Sequence, residues 1–206
     1  MSRRVASGSV TSSPSAATPA LQEAELFVAA EHMLVEVLGR VRRRDHDIVL
    51  PAMHPRAPGA QTIESAVLQQ VQADVALAAA LEGRPGPPVP PTDVGGAARR
   101  ACAAAVTVDG GRRVRAVGRE LPMRDLLLEA TVERSLLAHY VAAYLGSTAC
   151  PLPEELARPL WELTAPHADA WRRAGWFREP LELPPHVSWR DRFLLTAGHL
   201  PHPLGH

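Results

Sequence analysis

Residues 122–146, PMRDLLLEATVERSLLAHYVAAYLG, form the longest uninterrupted helical pattern in the chain. Met123, Leu126, Leu127, Ala130, Leu137, Val141, Tyr144 and Leu145 recur at the three- and four-residue spacing that puts side chains on one helical face. Pro122 suits a first turn, where its missing N–H costs nothing, and Gly146 suits the left-handed position just past a helix end. This spacing predicts an inner helix with both ends chemically marked. Glu133 and Arg134 fall on or beside its apolar face, where a charge is costly unless it is paired or used. A functional site is expected there.

The remaining chain must pack around that helix. Its 206 residues can bury one substantial core, and 20 Pro with 14 Gly divide it into several segments. Residues 21–43 read as an amphipathic helix, with acids including Glu31 toward its start and Arg40 to Arg44 at its end. Residues 45–61 carry Pro51, Pro55, Pro58 and Gly59 and read as an ordered loop. Thr62 is a plausible N-cap for a helix running to Leu81, with Gln70 and Asp74 near its buried face and Gln69 on its flank.

Residues 82–92 read as an extended linker, 97–106 as a short Ala-rich helix, and 108–120 as a loop with at most one short strand. Residues 153–175 form a further helical pattern that Pro159 and Pro166 should kink or split. Ser188 caps a last short helix, and the ending GHLPHPLGH reads as a surface extension. The expectation is a mainly α fold, a four-helix bundle with a C-terminal helical appendage and long Pro/Gly-rich loops. It comprises a disordered tail over 1–20, one domain over 21–200 and a tail over 201–206.

Charge and motifs exclude several function classes. The 22 basic and 22 acidic residues balance, and the Arg clusters lack interleaved aromatics, so nucleic acid is not an expected partner. No segment reaches the roughly 18–20 apolar residues that cross a bilayer, and residues 1–20 lack the apolar run of a signal peptide. No membrane association and a cytoplasmic location are expected. Cys102 and Cys150 have no metal-type spacing. No phosphate loop, nucleophile elbow or His-rich metal motif is present.

The loop leading to TIESAVLQQ, the run ERSLLAHYVAAYLG, and the closing AWRRAGWF with DRFLLTAGHLPHP carry a family resemblance. In these segments the chain resembles the DinB-like helical-bundle superfamily, in the branch of the metal-binding domain of mycothiol-dependent maleylpyruvate isomerase and related actinobacterial proteins. The resemblance implies a four-helix bundle whose divalent metal is held by a His from the second helix and by a Glu or His plus a His from the inner helix. Those positions fall on Gln69, Glu133 and Leu137. Two of three ligands are therefore missing, and no metal residue is assigned. His139 is no substitute, because at 100° per residue it points roughly 120° away from Glu133. It is expected to face outward with Arg124, Thr131 and Ser135.

The resemblance then implies a small-molecule enzyme of isomerase, cyclase or transferase type, working without a cofactor and admitting mycothiol as co-substrate. Glu133 would be its catalytic acid or base, with Gln69, Gln70, Arg134 and Leu137 as ligand-binding residues. A cavity of several hundred cubic ångströms at Gln69, Glu133 and Leu137 is expected for such a protein, as a monomer or homodimer. Two alternatives stand beside it. One is a non-catalytic interaction or regulatory protein presenting Trp161, Trp171, Trp176 and Trp189, with Glu133 neutralised by Arg134 or another Arg. The other is a thiol transferase with remodelled metal ligands.

Overall fold

The computed structural model describes residues 21–57, 59–84, 93–116 and 119–203. The expected disordered tail over 1–20, most of the linker and residues 204–206 lie outside them. The chain is mainly α. In order it forms α1 (Gln22–Leu38), a 3-10 turn (Arg43–Asp45), β1 (Val49–Leu50), β2 (Gln61–Thr62), α2 (Ile63–Glu82) and α3 (Val94–Ala105). Then come β3 (Arg113–Ala116), β4 (Arg119–Pro122), α4 (Met123–Tyr144), α5 (Glu154–Thr164), α6 (Ala168–Arg173) and α7 (Trp189–Thr196).

Local chemistry sets many of these boundaries. Thr62 caps α2 by accepting the Ser65 N–H at 3.2 Å, and Ser188 caps α7 by accepting the Asp191 N–H at 3.1 Å. Asp93 caps α3 through the amides of Gly95 and Gly96. Pro122 is the N-cap of α4 and not its first turn, and Gly146 ends that helix with φ +88°. Pro166 breaks the following helical pattern at a 3-10 turn (Ala165–His167), but α5 runs through Pro159. Residues 108–120 form more than the single strand expected: β3 and β4 pair antiparallel, with Val114 opposite Leu121 and both buried.

Helix α1 lies along α4 and also touches α3 and α5; α2 packs on α3, and α5 on α7. One apolar core joins α1, α4, α5 and α7 around Leu34, Leu136, Leu156 and Phe193. A second joins α1, α2, α3 and the start of α4 around Phe27, Leu81, Ala101 and Leu127. Burying each such Leu or Phe stabilises the fold by about 1.5–3 kcal/mol before conformational entropy is counted.

Both cores meet on α4, whose first turn exposes Arg124 and Asp125 and whose later turns are covered on every side. From Thr131 to Ala143 all its residues except Glu133 are buried. This corrects the expectation for His139, which is 1% exposed. Its Nε2–H donates to the Leu200 carbonyl at 3.0 Å. The reading failed because it assumed one wet face on α4, and the segment after α7 covers that face. The start of the segment read as a surface extension is likewise corrected, while Leu200 and His202 are exposed. His199 is buried and shares a 2.9 Å hydrogen bond with the Tyr140 hydroxyl. Burial pushes the His199 imidazole down to about 3, so it packs uncharged. Among the described residues, no helix is long and apolar enough to cross a membrane.

The four Trp are half-buried and packed against the first core. The Trp161 and Trp189 rings meet at a tilt with centroids 5.4 Å apart, and Trp171 stacks on Phe177 at 5.2 Å.

Candidate functional site

Adjacent residues of α4 take opposite roles. Arg134 is 1% exposed and ion-pairs with Glu31 of α1 and Asp74 of α2, both fully buried. Its Nη1–H also donates to the Ala130 carbonyl at 3.1 Å, and its guanidinium lies 4.8 Å over the Phe27 ring. Gln70 completes the cluster, its Nε2–H donating to Asp74 at 2.8 Å. Glu31 is thus buried, and the helix-dipole role expected of it on a solvated face is corrected. Two carboxylates oppose one guanidinium here, and Glu31 Oε1 and Asp74 Oδ2 have no hydrogen-bond partner. Burial, with Asp74 adding to it and Arg134 opposing it, pushes the Glu31 carboxyl up to about 7. A retained proton on Glu31 balances the cluster near neutrality.

Glu133 is left out of this network. It is half-buried, and among the described residues no hydrogen bond or ion pair holds its carboxyl. Desolvation raises its pKa above the ordinary carboxylate value, while the Arg134 guanidinium opposes that rise.

Glu133 lines a cavity of about 520 Å³. One wall is α2, with Gln69, Ala73, Ala76, Leu77 and Ala80, and a second is α4, with Leu126, Glu129, Ala130, Glu133 and Arg134. The β3–β4 hairpin, which touches α4, contributes Arg115 and Arg119. The loop after β1 closes the remaining side with Met53, His54 and Arg56, backed by Trp176. That loop is fixed by the Ala57 N–H donating to the His54 carbonyl at 2.9 Å and the Arg56 N–H donating to Gly175 at 3.1 Å. The His54 ring lies 4.9 Å from that of Trp176, and the Arg56 guanidinium covers the same indole at 4.9 Å. Burial first, then the charges of Arg56 and Arg178, push the His54 imidazole down to about 4, so it is neutral at pH 7.

Of the residues singled out in the sequence, Gln69, Glu133 and Arg134 meet at this cavity. Gln70 does not line it and is occupied by Asp74. Leu137, also expected at the site, is 2% exposed inside the first core and takes no part in the lining. Trp176, expected only on an interaction surface, also lines it, and the residues that sequence reasoning missed are His54, Arg56, Arg115, Arg119 and Glu129. Glu129 lies on a flank of α4, off its apolar stripe, and the others come from a proline-rich loop and the hairpin, which carry no helical period.

A metal does not fit the positions that the resemblance implies. Leu137 offers no donor atom, and among the described residues no group of three His, Cys, Asp or Glu side chains is placed to hold an ion. No family, curated protein or solved structure matches this chain.

Proposed function

We propose that this protein is a small-molecule enzyme that transfers protons within the cavity between α2 and α4, with Glu133 as general acid–base group. The observation that carries the reading is the unpaired Glu133 carboxyl in a largely apolar cavity. A carboxyl raised toward the working pH can both give and accept a proton, which is what general acid–base catalysis requires. His54 supplies a neutral imidazole on the loop wall that can exchange a hydrogen bond with a bound substrate, while burial and the Arg56 and Arg178 charges disfavour its protonated form. Gln69 at the rim can orient a bound carbonyl or hydroxyl.

On this reading the first four helices form a DinB-like four-helix scaffold, and the chemistry is of isomerase, cyclase or transferase type with no step through a metal. Mycothiol, as a co-substrate, would enter the same cavity. Support comes from the cavity volume, within the usual range of small-molecule sites, and from its mixture of apolar side chains with charged and polar groups of α4, the hairpin and the loop after β1.

The test is proton exchange. A panel of small enolisable carbonyl compounds is incubated with the protein in D2O, and deuterium incorporation is followed by NMR. Wild type exchanges a proton next to the carbonyl of at least one member, and Glu133→Gln slows it by roughly 10²-fold or more. A panel on which both proteins are equally inert, or equally active, contradicts the reading.

A further inference from the structure

We propose that the cavity selects a small organic monoanion, with a single carboxylate head held by Arg56 and Arg115 and an apolar body lying along α2. The proposal rests on the reading of this cavity as the substrate site and names the class of molecule it takes.

Charge pairing around the cavity carries the argument. Arg134 is neutralised by Glu31 and Asp74, and Arg119 pairs with Glu129 at 2.7 Å. Among the described residues neither Arg56 nor Arg115 has an ion-pair partner, and Glu133 is the cavity's remaining unpaired acid. Even with Glu133 ionised, two free guanidiniums outnumber it. A cationic ligand would meet two unpaired like charges, whereas an anion gains charge-assisted hydrogen bonds.

Arg56 is built for this role. Its guanidinium stacks over the Trp176 indole, and its backbone is tied to Gly175. Stacking occupies the face of the planar group and leaves its in-plane N–H donors free for a carboxylate, at lower entropic cost than a freely moving Arg.

Charge balance limits the ligand to one head. Glu129 is neutralised by Arg119, and against the unpaired Arg56 and Arg115 the cavity sets one unpaired acid, Glu133, so a second anionic group would exceed the free positive charge and be repelled by Glu133. Ala73, Ala76, Leu77 and Ala80 of α2 and Leu126 and Ala130 of α4 line the same cavity. These short side chains make an apolar slot that rewards a hydrocarbon body.

Isothermal titration of the full chain with four matched probes tests the proposal: 4-phenylbutyrate, 4-phenylbutanol, 4-phenylbutylamine and the dianion adipate. The expected result is saturable binding of 4-phenylbutyrate, weakened by added salt, with the alcohol roughly tenfold or more weaker and the amine and adipate weaker still. Arg56→Ala and Arg115→Ala, both on exposed side chains, should remove the preference for the acid over the alcohol. Glu133→Gln should keep it. Equal affinity for acid and alcohol, an acid preference that survives both Arg substitutions, tighter binding of adipate, or no binding of any probe overturns the proposal. Arg-dependent acid binding by a protein that exchanges no substrate proton would leave this inference standing and remove the catalytic role of Glu133 alone.

Discussion

Arg134 turns away from its chain neighbour Glu133 and ion-pairs instead with Glu31 and Asp74. That division gives α4 a structural charge and a chemical one at consecutive positions. It also removes the simplest structural account of Glu133, neutralisation by the arginine beside it.

The first prediction concerns the structural member. Arg134→Met leaves Glu31 and Asp74 buried without their cation, and breaking a buried pair in this way costs about 3–5 kcal/mol. Urea denaturation at pH 7.5 should show that loss, and lowering the pH to 5 should recover part of it as the Glu31 carboxyl protonates. An unchanged midpoint would mean that the cluster does not hold α1, α2 and α4 together.

The pH dependence has two opposing limbs. The Glu31 carboxyl is raised in the fold from 4.5 to about 7, so the folded state holds more protons in that window. Its contribution is full below 4.5 and is lost as pH rises toward 7. His54 and His199 are lowered from 6.5 to about 4 and about 3, so their contribution is full above 6.5 and is lost as pH falls. Subtracting the stability profile of Glu31→Gln from that of wild type should leave a difference that falls between pH 4.5 and 7. A flat difference would place Glu31 in an ordinary environment.

His139 should behave as a core residue. His139→Ala removes a buried ring and leaves the Leu200 carbonyl without its donor, at a cost of about 2–4 kcal/mol. A surface histidine would show a change within about 0.5 kcal/mol, so thermal unfolding separates the two outcomes.

Gly198 holds the chain at the point where it turns back onto α4. Its φ is +82°, and an added Cβ would stand 2.5 Å from the Glu179 carbonyl oxygen and 3.0 Å from the Arg178 carbonyl carbon. Backbone atoms cannot move aside, so Gly198→Ala should lower stability by about 2 kcal/mol or more and displace the neighbouring His199. Loss of the Tyr140–His199 hydrogen bond is readable from the imidazole NMR signals.

Much of the helical scaffold was legible because it rests on local chemistry: the periodic stripe of α4, the Thr62 and Ser188 caps, and Gly146 past a helix end. Asp74 and Gln70 announced a buried polar cluster by their spacing on an apolar face. Glu31 carried the same signal, lying four residues after Phe27 and three before Leu34, but the acids around it gave it the look of a solvated charge. The cavity was legible only through Gln69, Glu133 and Arg134. Its cationic side and its imidazole come from loop and hairpin residues brought together by tertiary packing, and no helical spacing encodes them. His139 was misread because periodicity describes a helix with one covered face, and α4 has none exposed to water near it; His199 was misread because it lies past the last helix, where no period signals the packing back onto α4.

The most direct measurement is the titration of the Glu133 side chain itself, by carboxyl 13C NMR of wild type with Glu133→Gln assigning the signal. An apparent pKa clearly above the ordinary glutamate value of 4.5, reached against the opposing charge of Arg134, is what a desolvated, unpaired acid in the cavity requires. A value at or below 4.5 would show a carboxylate held charged by a partner, and would contradict its role as the proton-transferring group.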